Sequence, residues 1–145
     1  MQLRREGESL WFRLIDGDFP DYKAVIPRNH KHRITFRRAD LASTLRRATI
    51  LAADRTRPVR VKVREGEVEI YVVQVDRGQV LETLPAEVDG PDFTVGFNPK
   101  YLLDALSVMS GDRAVLEMPN PQAAALLRDP DSEDSFFIVM PMRLD

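Results

Sequence analysis

One pattern occurs twice in this chain, sixty-one residues apart, and it restricts the possible folds more than any other feature. Arg33-Ile-Thr-Phe36 alternates polar and apolar residues as a half-buried strand does. Asp40 then stands where a helix cap would, and Leu41, Leu45, Ala48 and Ala52 recur at helical spacing. Thr94-Val-Gly-Phe97 repeats the alternation. Asn98 offers a cap, Pro99 takes the first helical position, and Leu102, Leu106 and Met109 continue an apolar stripe. Superposed, Ile34 falls on Val95, Phe36 on Phe97, Leu41 on Leu102 and Leu45 on Leu106. A structural duplication is the economical explanation.

Strand-like runs follow each helix. Val59, Val61 and Val63, then Val68, Ile70 and Val72, flank a Glu65-Gly66-Glu67 turn and predict a hairpin. A third strand is expected over Gln79 to Val88. After the second helix, closed by Gly111, strands are expected over Ala114–Met118, Ala123–Leu127 and Phe136–Met140. The unit is therefore β-α-β-β-β, written twice. A one-sided helix and a one-sided sheet each need a partner layer, so the chain should be α+β, with two helices side by side on one face of antiparallel sheets.

The two ends read differently. Residues 10–15 predict a strand, Asp16-Gly17-Asp18 a turn, and Phe19 to Pro27, with two prolines, an extended connector. Arg28 to Arg33 is a polar link. The other end runs from Phe136 through Met140-Pro-Met142 to Asp145, an apolar finish where tails are usually polar. Two readings fit it. A last strand closing the core is one. An adaptable apolar surface is the other, since methionine is flexible and polarizable and proline offers no N–H.

At 145 residues and 43% hydrophobic content the chain can bury a core as one domain, or one domain with a short appendage. It has no cysteine, which excludes disulfides and thiolate chemistry and points to a reducing, cytoplasmic setting. No apolar run approaches a membrane span or a signal peptide. Residues 1–64 carry sixteen Lys and Arg against seven Asp and Glu, whereas residues 65–145 carry five against sixteen. A dipolar particle that turns one face to a polyanion and an ordinary mixed surface both accommodate this split.

Catalytic constellations are scarce. His30 and His32 lie in a polar link, the seven glycines have no phosphate-cradling spacing, and Asp16/Asp18 and Asp129/Asp131 flank turns where Asp bonds its own backbone. No enzyme, metal or cofactor is expected. Surfaces remain. Arg46 and Arg47 lie off the apolar stripe of the first helix and Lys100 begins the second; such groups contact phosphates without reading bases, or are simply solvated. Ile50 and Leu51 exceed what one buried stripe needs, which suits an interface or more core.

Four segments together resemble the bacterial DNA polymerase III β subunit, the sliding clamp family. They are Leu14-Ile-Asp-Gly-Asp-Phe-Pro-Asp-Tyr-Lys-Ala-Val-Ile-Pro27, Leu45-Arg-Arg-Ala-Thr-Ile-Leu51, Val95-Gly-Phe-Asn-Pro-Lys-Tyr-Leu-Leu-Asp-Ala-Leu106 and Val139-Met-Pro-Met-Arg-Leu144. Their order and spacing match over nearly the whole chain. The resemblance implies a DNA clamp domain of two β-α-β-β-β halves: the third, C-terminal domain over residues 28–145, preceded over residues 1–27 by the last strand of the second domain and its connector.

Clamps of that family carry three such domains per subunit and close as head-to-tail homodimers around duplex DNA, helices inward. They are non-catalytic processivity factors. The polymerase III alpha subunit, the clamp loader and other proteins dock short hydrophobic peptides on the C-terminal domain. The resemblance places peptide binding at Pro20, Val25, Ala124, Ile138, Met140, Pro141, Met142 and Arg143. It implies that Arg46, Arg47 and Lys100 face DNA and that Ile50 and Leu51 meet the neighbouring subunit. Two positions depart: family pockets often have serine where Ala124 stands and arginine where Ala24 stands. A C-terminal piece of a longer clamp, an internally started product and a naturally short relative all fit the sequence. The alternative function is an oligomerising structural part, acting through Ile50, Leu51 and a strand over residues 10–15 that lacks sheet neighbours.

Overall fold

The computed structural model describes residues 1–19, 21–51, 58–74, 78–132 and 135–144. Strands β1 (Gln2–Arg5) and β2 (Glu8–Trp11) open the chain, and a 3-10 turn spans Tyr22–Val25. The first repeat follows as β3 (His32–Arg37), α1 (Arg38–Leu51), β4 (Val59–Arg64), β5 (Glu67–Gln74) and β6 (Gly78–Pro85). After the short β7 (Glu87–Asp89), the second repeat runs β8 (Phe93–Phe97), α2 (Pro99–Val108), β9 (Arg113–Met118), β10 (Ala125–Arg128) and β11 (Phe136–Val139).

The repeats do not sit side by side as separate units. One sheet has the order β11-β10-β9-β3-β7 and the other β6-β5-β4-β8, so each repeat lends its first strand to the sheet of the other. Ile34 of β3 lies opposite Leu116 of β9, and Val95 of β8 opposite Val61 of β4, all four buried. Every pairing is antiparallel. The helices pack against each other, α1 over β5, β6 and β3, and α2 near β11. Leu41, Leu45 and Ala48 of α1 and Leu102, Ala105 and Leu106 of α2 join one core with the inward faces of both sheets. Ala52, expected to extend the first stripe, lies outside the described residues.

Helix α2 starts as its sequence predicts. The Asn98 side chain accepts from Lys100 N at 3.0 Å, with Pro99 behind it at a position that needs no N–H. Asn98→Ala is expected to remove about 1 kcal/mol of stability, read as a lower urea midpoint at unchanged slope. Helix α1 starts differently. Asp40 is not its cap, because the helix begins at Arg38, straight out of β3. Arg38 N donates to Asp112 O at 2.8 Å, and the Arg38 guanidinium donates to the carbonyls of Gly111 (2.6 Å) and Leu106 (3.3 Å). A cation at the C-terminal end of α2 thus anchors the first turn of α1, and a tertiary contact replaces the local cap.

Four further expectations are corrected. Gln79 to Val88 is two strands: Pro85 cannot donate to a ladder, and the chain turns there from one sheet to the other. The strand expected over residues 10–15 ends at Trp11 and has a neighbour, since β1 and β2 form a hairpin about Glu6-Gly7 with Gly7 at φ +78. Arg4 and Arg5 hid the first arm. The connector holds a 3-10 turn rather than fully extended chain, with the Asp21 side chain accepting from Lys23 N at 3.1 Å. His32, read as part of a polar link, is buried at the head of β3 with its ring 4.3 Å from that of Phe93.

Turn chemistry accounts for Asp129. Its carboxylate accepts from Asp131 N at 3.0 Å and Gly111 N at 2.7 Å, and these main-chain donors hold it below the usual aspartate range.

Candidate functional site

The tail occupies the junction of the two sheets. Strand period puts Phe137 and Val139 of β11 toward the core, and leaves Phe136, Ile138 and Met140 on the opposite face. Ala125 lies opposite Val139, so the next step of that register sets Ala124 against Met140. Met140 is 63% exposed. Beyond it, Pro141 lacks the N–H that would extend the ladder, and the chain crosses to β8. There Met142 N donates to Gly96 O at 2.8 Å, an isolated antiparallel bridge.

This crossing walls a cleft of about 590 Å³, formed by Thr94 to Gly96 of β8, Pro121 and Gln122 of the β9–β10 loop, and Pro141 to Leu144. The loop wall is braced locally: the Asn120 carboxamide oxygen accepts from both Gln122 N (2.9 Å) and Ala123 N (3.0 Å). The lining is mixed. Proline and methionine supply apolar area, while Thr94, Gln122 and Arg143 supply polar groups at the edges, a composition suited to a short amphipathic segment.

Of the residues expected at a peptide site, Pro141, Met142 and Arg143 line this cleft. Ala124, Ile138 and Met140 share the adjoining strand face. Val25 is exposed in the connector's 3-10 turn, and among the described residues the cleft has no connector lining. Pro20 lies outside the described residues. Thr94, Gly96, Pro121, Gln122 and Leu144 were not anticipated. A sequence signal existed for one of them, because glycine inside a strand pattern marks a close backbone approach.

The basic helical residues fare unequally. Arg46 is exposed and has no ion pair among the described residues, and Lys100 is exposed at the start of α2. Arg47 instead forms a two-pronged ion pair with Glu82 of β6 and donates to Ser43 Oγ at 2.6 Å. Thr44 Oγ1 donates to the same carboxylate at 2.8 Å. Arg47's hydrogen bond, aided by Thr44 and opposed by burial, holds Glu82 below the usual glutamate range. The Arg47 charge is thus compensated locally. Ile50 and Leu51 also part: Ile50 is 72% exposed, whereas Leu51 packs against the core. Among the described residues β6 is an edge strand of its sheet, with Leu81 exposed.

Among the described residues no three His, Cys, Asp or Glu side chains gather as a metal site, and no helix is long and apolar enough to cross a membrane.

Residues 23–143 match the family model of the DNA polymerase III beta subunit, C-terminal domain. The beta sliding clamp of Caulobacter vibrioides is 32% identical over 136 residues, 94% of this chain and 37% of that protein. The beta sliding clamp of Pseudomonas aeruginosa is 32% identical over 132 residues, 91% of this chain and 36% of that protein. The crystal structure of the DNA polymerase III beta subunit from Thermotoga maritima superposes with a TM-score of 0.87 at 27% identity, covering 92% of this chain and 36% of that one. A sliding clamp from Bartonella birtlesii, solved with griselimycin bound, gives 0.85 at 32% identity, covering 90% and 35%. The chain spans little more than a third of the length of these relatives. With fold, sequence and nearly full coverage of the chain in agreement, it belongs to the DNA polymerase III beta subunit family, in the part formed by the C-terminal clamp domain.

Proposed function

We propose that this chain is the partner-docking part of a DNA sliding clamp, non-catalytic, taking short hydrophobic peptides of the polymerase III alpha subunit, the clamp loader and other replication or repair proteins. Residues 28–145 act as the third clamp domain, and residues 1–27 as the end of the second with its connector. The observation that carries the docking reading is the tail. Met140 is largely exposed, and Met142 walls a cleft beside two prolines rather than filling the core. Two unbranched thioether side chains, one in the cleft wall and one on the adjoining strand face, can repack around different apolar anchors, as a surface serving several partners requires. That a relative has been solved with griselimycin bound supports a ligand-accepting surface in the family.

In a complete ring the helices face duplex DNA, and Arg46 and Lys100 supply salt-sensitive attraction to phosphates. Encirclement, not affinity, retains the DNA.

The test is fluorescence polarization with a labelled Gln-Leu-x-Leu-Phe peptide. Wild type is expected to bind, and Met142→Ala to bind about tenfold more weakly, since truncating a partly buried methionine forfeits on the order of 1–2 kcal/mol of apolar contact. No binding by wild type overturns the reading.

A second reading, an oligomerising part, is favoured by the exposure of Ile50 on α1 and of Leu81 on the edge strand β6. Light scattering separates the two. A peptide-binding monomer supports docking, and a peptide-blind oligomer supports assembly.

A further inference from the structure

Gly96 lies in the interior of β8, between Val95 and Phe97, both sealed in the core. A glycine there forgoes packing and lowers strand propensity, so its presence needs a reason. Backbone freedom is not the reason, because Gly96 is not among the glycines with positive φ. Space is. A Cβ at position 96 would stand 2.6 Å from Leu144 Cδ2 and 2.9 Å from Met142 O. Leu144 could rotate away from the first contact. The second involves main chain, and it can be relieved only by lifting the tail.

On its other side β8 is laddered to β4, so the strand is a fixed surface against which the tail is registered. The registration is the single bridge from Met142 N to Gly96 O. Pro141, just before it, contributes no donor. Residue 96 therefore sets how closely Met142 and Arg143 approach β8, and with that the position of one wall of the cleft.

We propose, resting on the docking function above, that Gly96 is a positioning residue for peptide binding. Its bare backbone seats the tail so that Pro141, Met142 and Arg143 present a preformed wall to an apolar peptide. Preformation matters because a wall that must be ordered on binding diverts binding energy into that ordering.

The test uses the full chain, the Gln-Leu-x-Leu-Phe peptide and backbone hydrogen exchange. In wild type the Met142 amide is expected to be protected relative to those of Arg143 and Leu144, because it alone of the three donates to β8. Gly96→Ala is expected to abolish that protection and weaken peptide binding about tenfold or more. A role confined to strand stability predicts that Gly96→Ala and Met142→Ala combine additively. A role exercised through the tail predicts that Gly96→Ala has little further effect once Met142 is truncated. The proposal is overturned by wild-type affinity in folded Gly96→Ala, by additivity, or by an unprotected Met142 amide in wild type. That last readout decides even if Gly96→Ala fails to fold. If wild type binds no peptide, the docking function falls, while the exchange experiment still reports on the seat.

Discussion

Phe97→Ala is expected to lower the free energy of unfolding by about 3–5 kcal/mol, close to the whole stability of a marginal domain. Phe97 has 0% exposure and is the last residue of β8, opposite Val59 of β4. It belongs to the same cluster as Leu45 of α1, Leu106 of α2 and Leu127 of β10. The next residue, Asn98, caps α2, and the preceding one holds the tail. Removing the ring leaves a cavity where both sheets and the second helix converge, a place that cannot collapse without moving several elements. Urea unfolding followed by circular dichroism measures the effect. A loss below about 1 kcal/mol would mean that the two repeats do not share one core.

Arg128→Ala should be the next most damaging change, and its effect should depend on pH. Glu117 lies on the outer face of the larger sheet with only 8% of its side chain exposed. Arg128 donates to both its oxygens, at 3.0 and 3.2 Å, and Arg33 approaches to 3.6 Å. Burial pushes the Glu117 carboxyl up. The Arg128 hydrogen bonds and charge, with the charges of His30 and Arg33, outweigh burial and hold it below the usual glutamate range. An acid whose folded pKa is depressed contributes stability that is full above its unfolded value, about 4.3, and is lost as pH falls through the lower folded value.

Without Arg128 the desolvation remains and its main compensation is gone, so Arg128→Ala should lose about 3 kcal/mol near pH 7, the scale for breaking a buried pair from one side. The deficit relative to wild type should shrink as pH falls below about 5, because a protonated Glu117 no longer needs a cation. Denaturant midpoints of both proteins from pH 7 to pH 4 check this. A deficit that stays constant with pH would show that Arg128 acts through its aliphatic packing instead.

The parts of the fold legible in the sequence were those with a local cause. Alternation over Ile34 and Phe36, and over Val95 and Phe97, marked two strands, and the Asn98-Pro99 pair marked the start of α2. The Glu65-Gly66 turn between valine runs marked the β4–β5 hairpin. The helical stripes named Leu41, Leu45, Leu102 and Leu106 as core. Where a distant residue set the outcome, the same reasoning missed. Asp40 is a residue type favoured at caps, yet Arg38 docking on the end of α2 starts the helix three residues earlier than a cap at Asp40 would. Arg47 carries the look of a free surface cation, yet Glu82, thirty-five residues on, captures it.

The site divides along the same line. Met140, Pro141 and Met142 drew notice because an apolar tail is unusual, and family resemblance supplied a use for them. Thr94, Pro121 and Gln122 carry no such mark. They join the cleft only because β8, the β9–β10 loop and the tail meet there.

Taken alone, the chain determined the helices and most strands of its two repeats, their duplicated order and which face of these elements is apolar, since these follow from side-chain period over a few residues. Tertiary structure alone decided that the repeats exchange their first strands, that Leu51 is core while Ile50 is surface, and that Gly96 receives Met142. The reason is physical. Strand pairing, ion-pair capture and close backbone approach join segments tens of residues apart, and which of the competing pairings wins depends on the packing of the whole molecule rather than on any local stretch of it.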